Sequence, residues 1–472
     1  MLIFRSKKLS ISLKKRSFTA ANPFECYFRE IELNIFKFLN LRKTQYQKTM
    51  AYFVPWLHMH QPPIWYDNRQ MGNLEKMLSG DRNSEEGWNA QWFAQAYKNP
   101  ARYAKQLSQD GYRPRMMVDY SGVLLEELAY LSDNGTFVHL HVDGEPIGNV
   151  IELWRHVLED YPEAIEFAGS AYSHCYFPAT PERDWEAQIL AWKQIFANLF
   201  GEAALKRVKG FWLPEMGMTG EPQQAIKLVR TLKRCGYEWL ILPTSALEMP
   251  EGWTTPELEN RVHELEITAN GETERILCVV RDTEMGIRQQ SGHNADGCLN
   301  DIRYRSHVFS EKGILTSPLI VPTSDGENGN VMMFEYFRNT FVPLVHQVSA
   351  LPDIEMATVS EYITKYPPDN ATPVRLKPTG GSWIGGHQSW NEGDRRQGIL
   401  REIDELSQQV AALNPSELET SELEEIQRLL LVCETSCFVY WNAEFWFEQA
   451  DLFLGKLRGR LEQLQPREVG LR

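Results

Sequence analysis

The sequence predicts an α/β protein, a parallel barrel or open parallel sheet followed by a helical appendage, and three observations point there. From residue 51 to about 325, short apolar runs alternate with helical spacing about seven times, the rhythm of repeated βα units. Two of those runs, Val208 to Leu213 and Leu319 to Thr323, end abruptly in a carboxylate, Glu215 and Asp325. Barrels of this kind place their chemistry at that C-terminal strand edge. Beyond Asp394 the strand pattern stops and helical spacing runs almost to the end.

The elements follow in order. Residues 1–50 carry 11 Lys and Arg against 3 Asp and Glu, whereas the remainder carries 38 against 60. Residues 1–49 therefore read as a basic extension: a transit peptide, an interaction tail, or, the favoured expectation, a stretch upstream of a true start at Met50. The barrel is expected over 50–345. It opens with the strand 51–58, closed by His58-Met59-His60-Gln61-Pro62-Pro63, where alternation puts His58 and His60 on one face. A polar loop at 65–87 leads to a helix at 89–109, a strand at 115–118 and a helix at 122–131. Residues 137–141 read as a short strand element, 149–160 as a helix and 165–169 as a strand running into Ser170 to Pro178. The helix at 184–200 shows apolar positions Trp185, Ile189, Trp192 and Phe196. After the strand leading to Glu215 comes a helix at 221–235 stopped by Gly236. Strands at 237–243 and 274–281 flank an insertion at 248–273, and a helix at 294–309 precedes the strand 316–323. Residues 346–394 read as a loop-rich connection containing the glycines of 380–386. Residues 395–472 read as a helical domain packed on the barrel, with helices at 395–413, 416–432 and 434–462.

Composition excludes several classes. The net charge of -14 repels nucleic-acid phosphates. No run reaches the roughly 20 apolar residues that span a bilayer. Seven scattered cysteines without a CxxC pair fit free thiols in a reducing cytoplasm. Fourteen Trp and eighteen Tyr suit apolar clusters and sugar-stacking platforms equally.

A single acid at a loop start ordinarily caps backbone. Two acids, each after a buried strand and beside glycine, are what a two-carboxylate hydrolase needs. His58, His60, His174 and Asp325 also suit a divalent metal in a hydrolase or deacetylase barrel. His139 and His141 repeat the spacing, and the ordinary reading is a hydrogen-bonded histidine near a cleft. No G-x-S-x-G elbow and no phosphate loop occur. Asp325 to Asn330 has the wrong ligand spacing for a calcium loop.

These residues resemble glycoside hydrolase family 57 over residues 52 to about 450. Five short regions carry the resemblance: His60-Gln61-Pro62; Gly169 to His174; Phe211-Trp212-Leu213-Pro214-Glu215; Asp325-Gly326-Glu327; and Glu434-Thr435-Ser436-Cys437. The resemblance implies an incomplete (β/α)7 barrel with a C-terminal helical domain, no metal or other cofactor, and retaining action on α-glucan. It implies Glu215 as nucleophile and Asp325 as general acid/base. His60, Gln61, His174, Glu327 and Glu434 would bind substrate, with Trp212 and Trp383 stacking on sugar rings. The alternatives are a 4-α-glucanotransferase or branching enzyme with the same pair, a metal-dependent deacetylase, and a non-catalytic glucan-binding protein. Cys437 departs from the family, where Asp is common, and so does Met216, where a small residue is common; both bear on substrate subtype.

Overall fold

The computed structural model describes residues 50–81, 83–327, 335–368 and 373–464. The basic residues 1–49 lie outside it. Seven successive parallel strand segments follow one another around an incomplete barrel. The first is a strand kinked at Val54-Pro55 into β1 (Ala51–Phe53) and β2 (Trp56–Met59). Next come β3 (Met116–Tyr120), β4 (Ile165–Phe167), β5 (Gly210–Trp212) and β6 (Trp239–Leu242). An antiparallel hairpin follows, β7 (Val262–Ala269) and β8 (Glu272–Val280), of which β8 continues the parallel order. The last segment is β9 (Leu319–Ile320) and β10 (Thr323–Asp325), interrupted at Val321-Pro322 and paired with β1 and β2. Between β4 and β5 the ladder continues through Gly169 and Phe211. Between β8 and β9 it thins to the Asp282 amide donating to the Val321 carbonyl at 3.0 Å. That seam is where the barrel is incomplete.

The strands are buried on both faces, as parallel strands with helices outside must be. Inside the barrel lies a small aromatic core: the Trp56 ring packs 5.8 Å from Trp212 and 5.9 Å from Trp239, with Met117, Ile241 and Val321 around them. A larger core lies between the strands and the surrounding helices. Gly210 is required here, because a Cβ would stand 2.2 Å from the Trp239 ring. Several helices start as their sequences dictate: Ser121 caps Gly122–Asp133, Asn149 caps Val150–Asp160 and Asn294 caps Ala295–Glu311.

Several expectations change. The insertion at 248–273 contains β7 and its turn into β8, at Asn270 and Gly271 with φ of 50° and 81°. The segment 137–141 forms a single 3₁₀ turn, Phe137–His139, before a two-residue strand. The connection 346–394 holds a strand, Ile354–Met356, which pairs with β1, and a helix, Val359–Lys365, capped by Thr358 and Glu361. The C-terminal region is helical, as Asp394–Ala411, Thr420–Cys433, Cys437–Tyr440 and Glu444–Leu464. Barrel and helices form one compact unit. The helix expected over 434–462 breaks at Asn442, whose φ is 49°.

Candidate active site

Strand register builds the first half of the site. Asp325 on β10 is the Cα partner of His58 on β2, and His58 is the partner of Asp119 on β3. Three polar side chains thus form one row across three parallel strands at their C-terminal ends. The Asp119 carboxylate lies 2.5 Å from His58 Nδ1 and accepts from Trp56 Nε1 at 2.7 Å. His58 stacks on Trp212 at 4.8 Å and 15°. Burial, the largest influence on His58, lowers its pKa. The adjoining Asp119 carboxylate, with Glu327 and Asp325, outweighs burial and pushes it up to about 9.

Loops build the second half. Glu215 follows β5 in a left-handed conformation (φ 59°, ψ 13°), as do Met216 (φ 49°) and, beside it on the same wall, His174 (φ 60°). Such backbone costs on the order of 1–3 kcal/mol per residue and persists only where surroundings enforce it. Here the enforcement is visible. The Trp383 amide donates to the Glu215 carbonyl at 3.0 Å, and Trp383 Nε1 donates to Glu215 Oε2 at 2.8 Å. Met218 and Gly381 exchange both backbone bonds at 2.9 Å. Gly380 makes that approach possible: its φ is 60°, and a Cβ would lie 2.2 Å from the Met218 carbonyl. Arg281 donates to the Thr323 carbonyl and lies over the Trp383 ring, tying the loop to β10. The 3.3 Å bond from Ser436 N to the His174 carbonyl, with the Cys175–Thr435 bridge, brings Cys437 to the site.

Both halves face one cavity of about 650 Å³, in the range of ligand pockets. His60, Gln61, His174, Glu215, Asp325, Glu327 and Trp383 all line it. Two expected residues do not. Trp212 is buried in the barrel interior with its face covered by His58, because it sits one layer below the strand ends. Glu434 points away from the cavity, bonded to Gln188 Nε2 at 2.7 Å. Residues without a local signal also reach the cavity, Asn73, Arg281 and Gln290 among the polar groups and Phe93 among the aromatic ones, beside Tyr440, Trp441 and Trp446 from the aromatic-rich C-terminal region. Asp119 stands behind the wall, bonded to His58. Asp119 had a signal, since Met117-Val118-Asp119 is again a strand ending in an acid. His139 and His141 are exposed on the surface.

Burial pushes Glu215 up to about 7, with the Asp325 charge adding to it and His58 and the Trp383 hydrogen bond opposing. Glu327 is raised well above the usual carboxyl range by burial and then by Asp325. His60 and His174 are held well below the usual imidazole value, by burial first. Among the residues lining the cavity, two buried atoms, His60 Nε2 and Glu327 Oε2, have no hydrogen-bond partner among the described residues. Buried polar atoms are rarely left so, and atoms of this kind on a cavity wall suit ligand hydroxyls.

A metal is the rival occupant. His60, His174 and Cys437 each bring a ligand atom within 4.8 Å of the others. The rings of His60 and His174, however, stack face to face at 4.0 Å and 8°, so their in-plane lone pairs run parallel and do not converge. His174 further uses one nitrogen on Ser436 and the other on His58, at 2.9 Å each, and His58 turns its remaining nitrogen to Asp119. This arrangement does not fit a coordinated cation.

The sequence profile described as Glycosyl hydrolase family 57 matches residues 15–375. No curated protein matches the chain in sequence. Among solved structures, it is similar to the 4-α-glucanotransferase of Thermococcus litoralis at 16% identity and a TM-score of 0.61, over 87% of this chain and 60% of that one. It is similar to the branching enzyme of Pyrococcus horikoshii at 15% identity and a TM-score of 0.58, over 88% and 87%. The α-amylase AmyC of Thermotoga maritima follows at 14% and 0.56, over 88% and 93%. At these identities the likeness establishes the shared fold.

Proposed function

The chain belongs to glycosyl hydrolase family 57, and we propose that it is a retaining enzyme acting on α-glucan through a glycosyl-enzyme intermediate. The observation that carries this reading is the meeting of Glu215 and Asp325, from opposite sides of the barrel, on one cavity rimmed by aromatic side chains. Glu215, ionised, attacks the anomeric carbon. Asp325, protonated, gives its proton to the leaving glycosidic oxygen, then takes one from the incoming acceptor as the glycosyl ester is cleaved and Glu215 is released. The bond from Trp383 Nε1 favours the ionised form of Glu215 and fixes its direction. His60 and Glu327 offer their unpartnered atoms to sugar hydroxyls, and Trp383 offers a ring face.

Water as acceptor gives an amylase, and a sugar hydroxyl gives a glucanotransferase or branching enzyme. The second reading draws support from Trp441, which is 51% exposed on the cavity wall beside Tyr440 and Trp446 and suits a second sugar chain. The six cysteines of the described region are unpaired, which supports a reducing compartment. No described helix is long and apolar enough to cross a membrane.

Incubation with maltoheptaose, with and without a chelator, tests the reading. Products only shorter than the substrate indicate hydrolysis, and products both longer and shorter indicate transfer, unchanged by chelator in either case. Full activity of folded Glu215→Gln protein would overturn the assignment.

A further inference from the structure

Behind the cavity wall runs a hydrogen-bonded chain that the two-carboxylate mechanism does not itself require. It begins at Asp119, which is 0% exposed. Both carboxylate oxygens are engaged, one by Trp56 Nε1 and one by His58 Nδ1, so the His58 proton on that side is fixed at Nδ1. His58 Nε2 lies 2.9 Å from His174 Nε2, a gap that holds one proton. His174 Nδ1, on the far side of its ring, lies 2.9 Å from Ser436 Oγ and 4.0 Å from Glu215 Oε1.

The charge on His58 decides where the protons sit. As an imidazolium beside Asp119, His58 donates from both nitrogens. His174 must then accept at Nε2, and as a neutral ring it carries its proton at Nδ1, on the Glu215 side. With an amide at 119, donor-only Trp56 Nε1 takes the amide oxygen and turns the amide N–H toward His58 Nδ1. His58 is then a neutral ring that accepts there and keeps its one proton at Nε2, toward His174, and the positive charge beside Glu215 is lost.

We propose that Asp119 is a positioning residue for catalysis: it keeps His58 a cation that donates to His174, so that a positive charge and the His174 Nδ1–H face Glu215 and hold it ionised for attack. The inference rests on the assignment of Glu215 as nucleophile. Other groups around Glu215 are Asp325 from β10, Tyr176 from the loop after β4, and Cys437 and Tyr440 from the helix Cys437–Tyr440. His58 also faces Glu327 and Asp325. Arg281, over the Trp383 ring, is a second cation on the cavity and interacts with Asp325, Glu259 and Asp282; His58 is the positive charge that Asp119 maintains beside Glu215.

The test compares Asp119→Asn with Trp56→Phe, using maltoheptaose. Asp119→Asn keeps the shape and removes the charge. It is expected to lower kcat on the order of 10²-fold with little change in KM, and to move the acid limb of the kcat profile to higher pH. Trp56→Phe removes the other bond to Asp119 and should leave the acid limb in place. Equal losses and unmoved acid limbs in both variants would show a merely structural role and overturn the proposal. So would wild-type kinetics in Asp119→Asn. If Asp119→Asn does not fold, ¹⁵N-histidine NMR of the unaltered protein at pH 7 decides instead. Both nitrogens of His58 protonated and His174 protonated at Nδ1 is the expected spectrum, and a neutral His58 or an Nε2-protonated His174 overturns it. Activity surviving in Glu215→Gln would instead remove the assignment on which the inference rests.

Discussion

The two walls of the cavity are built by different means. On one side Asp119, His58 and Asp325 stand in a register row on three hydrogen-bonded strands, backed by tryptophans. On the other, Glu215, His174 and Trp383 sit on loops, two of them with left-handed backbone, held by the Met218–Gly381 and Cys175–Thr435 bridges. The strand wall fixes its groups through the fold itself, so a change there threatens folding as well as chemistry. The loop wall stores strain that local stitches hold in place, so a change there can alter chemistry while the barrel stands. Division of this kind lets one scaffold keep a catalytic pair while its loops select substrates.

The largest effect expected on the loop wall separates those two properties. Glu215→Gln should lower kcat by on the order of 10³-fold or more, since it removes the proposed nucleophile. It should also raise thermal stability above pH 7. Glu215 has its folded pKa raised by burial to about 7, so ionisation costs the folded state stability as pH climbs from the ordinary carboxyl value to about 7. Above that the penalty is complete, on the order of 3 kcal/mol. Melting curves of both proteins should therefore diverge at pH 8 and converge near pH 4. Equal melting at all pH would deny the buried-charge account.

Next in size is Trp383→Phe, which keeps the ring and removes the N–H on Glu215 Oε2. A hydrogen bond to a charged group contributes roughly 1.5–3 kcal/mol, so kcat should fall about 10- to 100-fold. In the wild type the acid limb of kcat/KM should lie near pH 7, with activity falling as pH drops and Glu215 takes up a proton. Trp383→Phe should move that limb upward. Steady-state profiles from pH 5 to 9 check both statements.

The smallest effect belongs to the rim. Trp441→Ala should leave kcat near the wild-type value and raise KM for maltoheptaose about 2- to 10-fold, the worth of one aromatic contact. The ratio of lengthened to shortened products should fall with it. A large loss in kcat would place Trp441 in the chemistry and blur the distinction between rim and centre.

The sequence reveals the two walls only in part. Glu215 and Asp325 are visible because an apolar strand ending in an acid is a local pattern. Asp119 follows the same pattern, yet ending its strand at Val118 hides it. Its pairing with His58 is a matter of register between segments 61 residues apart, which no local signal encodes. Trp212 shows the complementary limit: its neighbour positions reveal the strand, but depth within a barrel depends on all the strands together. Asn270-Gly271 was legible as a hairpin turn, since both residues tolerate positive φ. The break at Asn442 has a similar signal, a residue type that accepts left-handed backbone inside an otherwise helical pattern. The stitches that hold Glu215, Met218 to Gly381 and Glu215 to Trp383, join segments more than 160 residues apart; they follow from packing, and only the glycine at 380 hints at them.

The central claim is that Glu215 and Asp325 act together through a covalent glycosyl ester. ¹H NMR of the anomer released from maltoheptaose in the first minutes, before mutarotation, tests it most directly. The new reducing ends should appear as the α-anomer, with the β-anomer growing only as mutarotation proceeds. Initial release of the β-anomer would mean single displacement by water and would contradict the assignment of Glu215 as nucleophile.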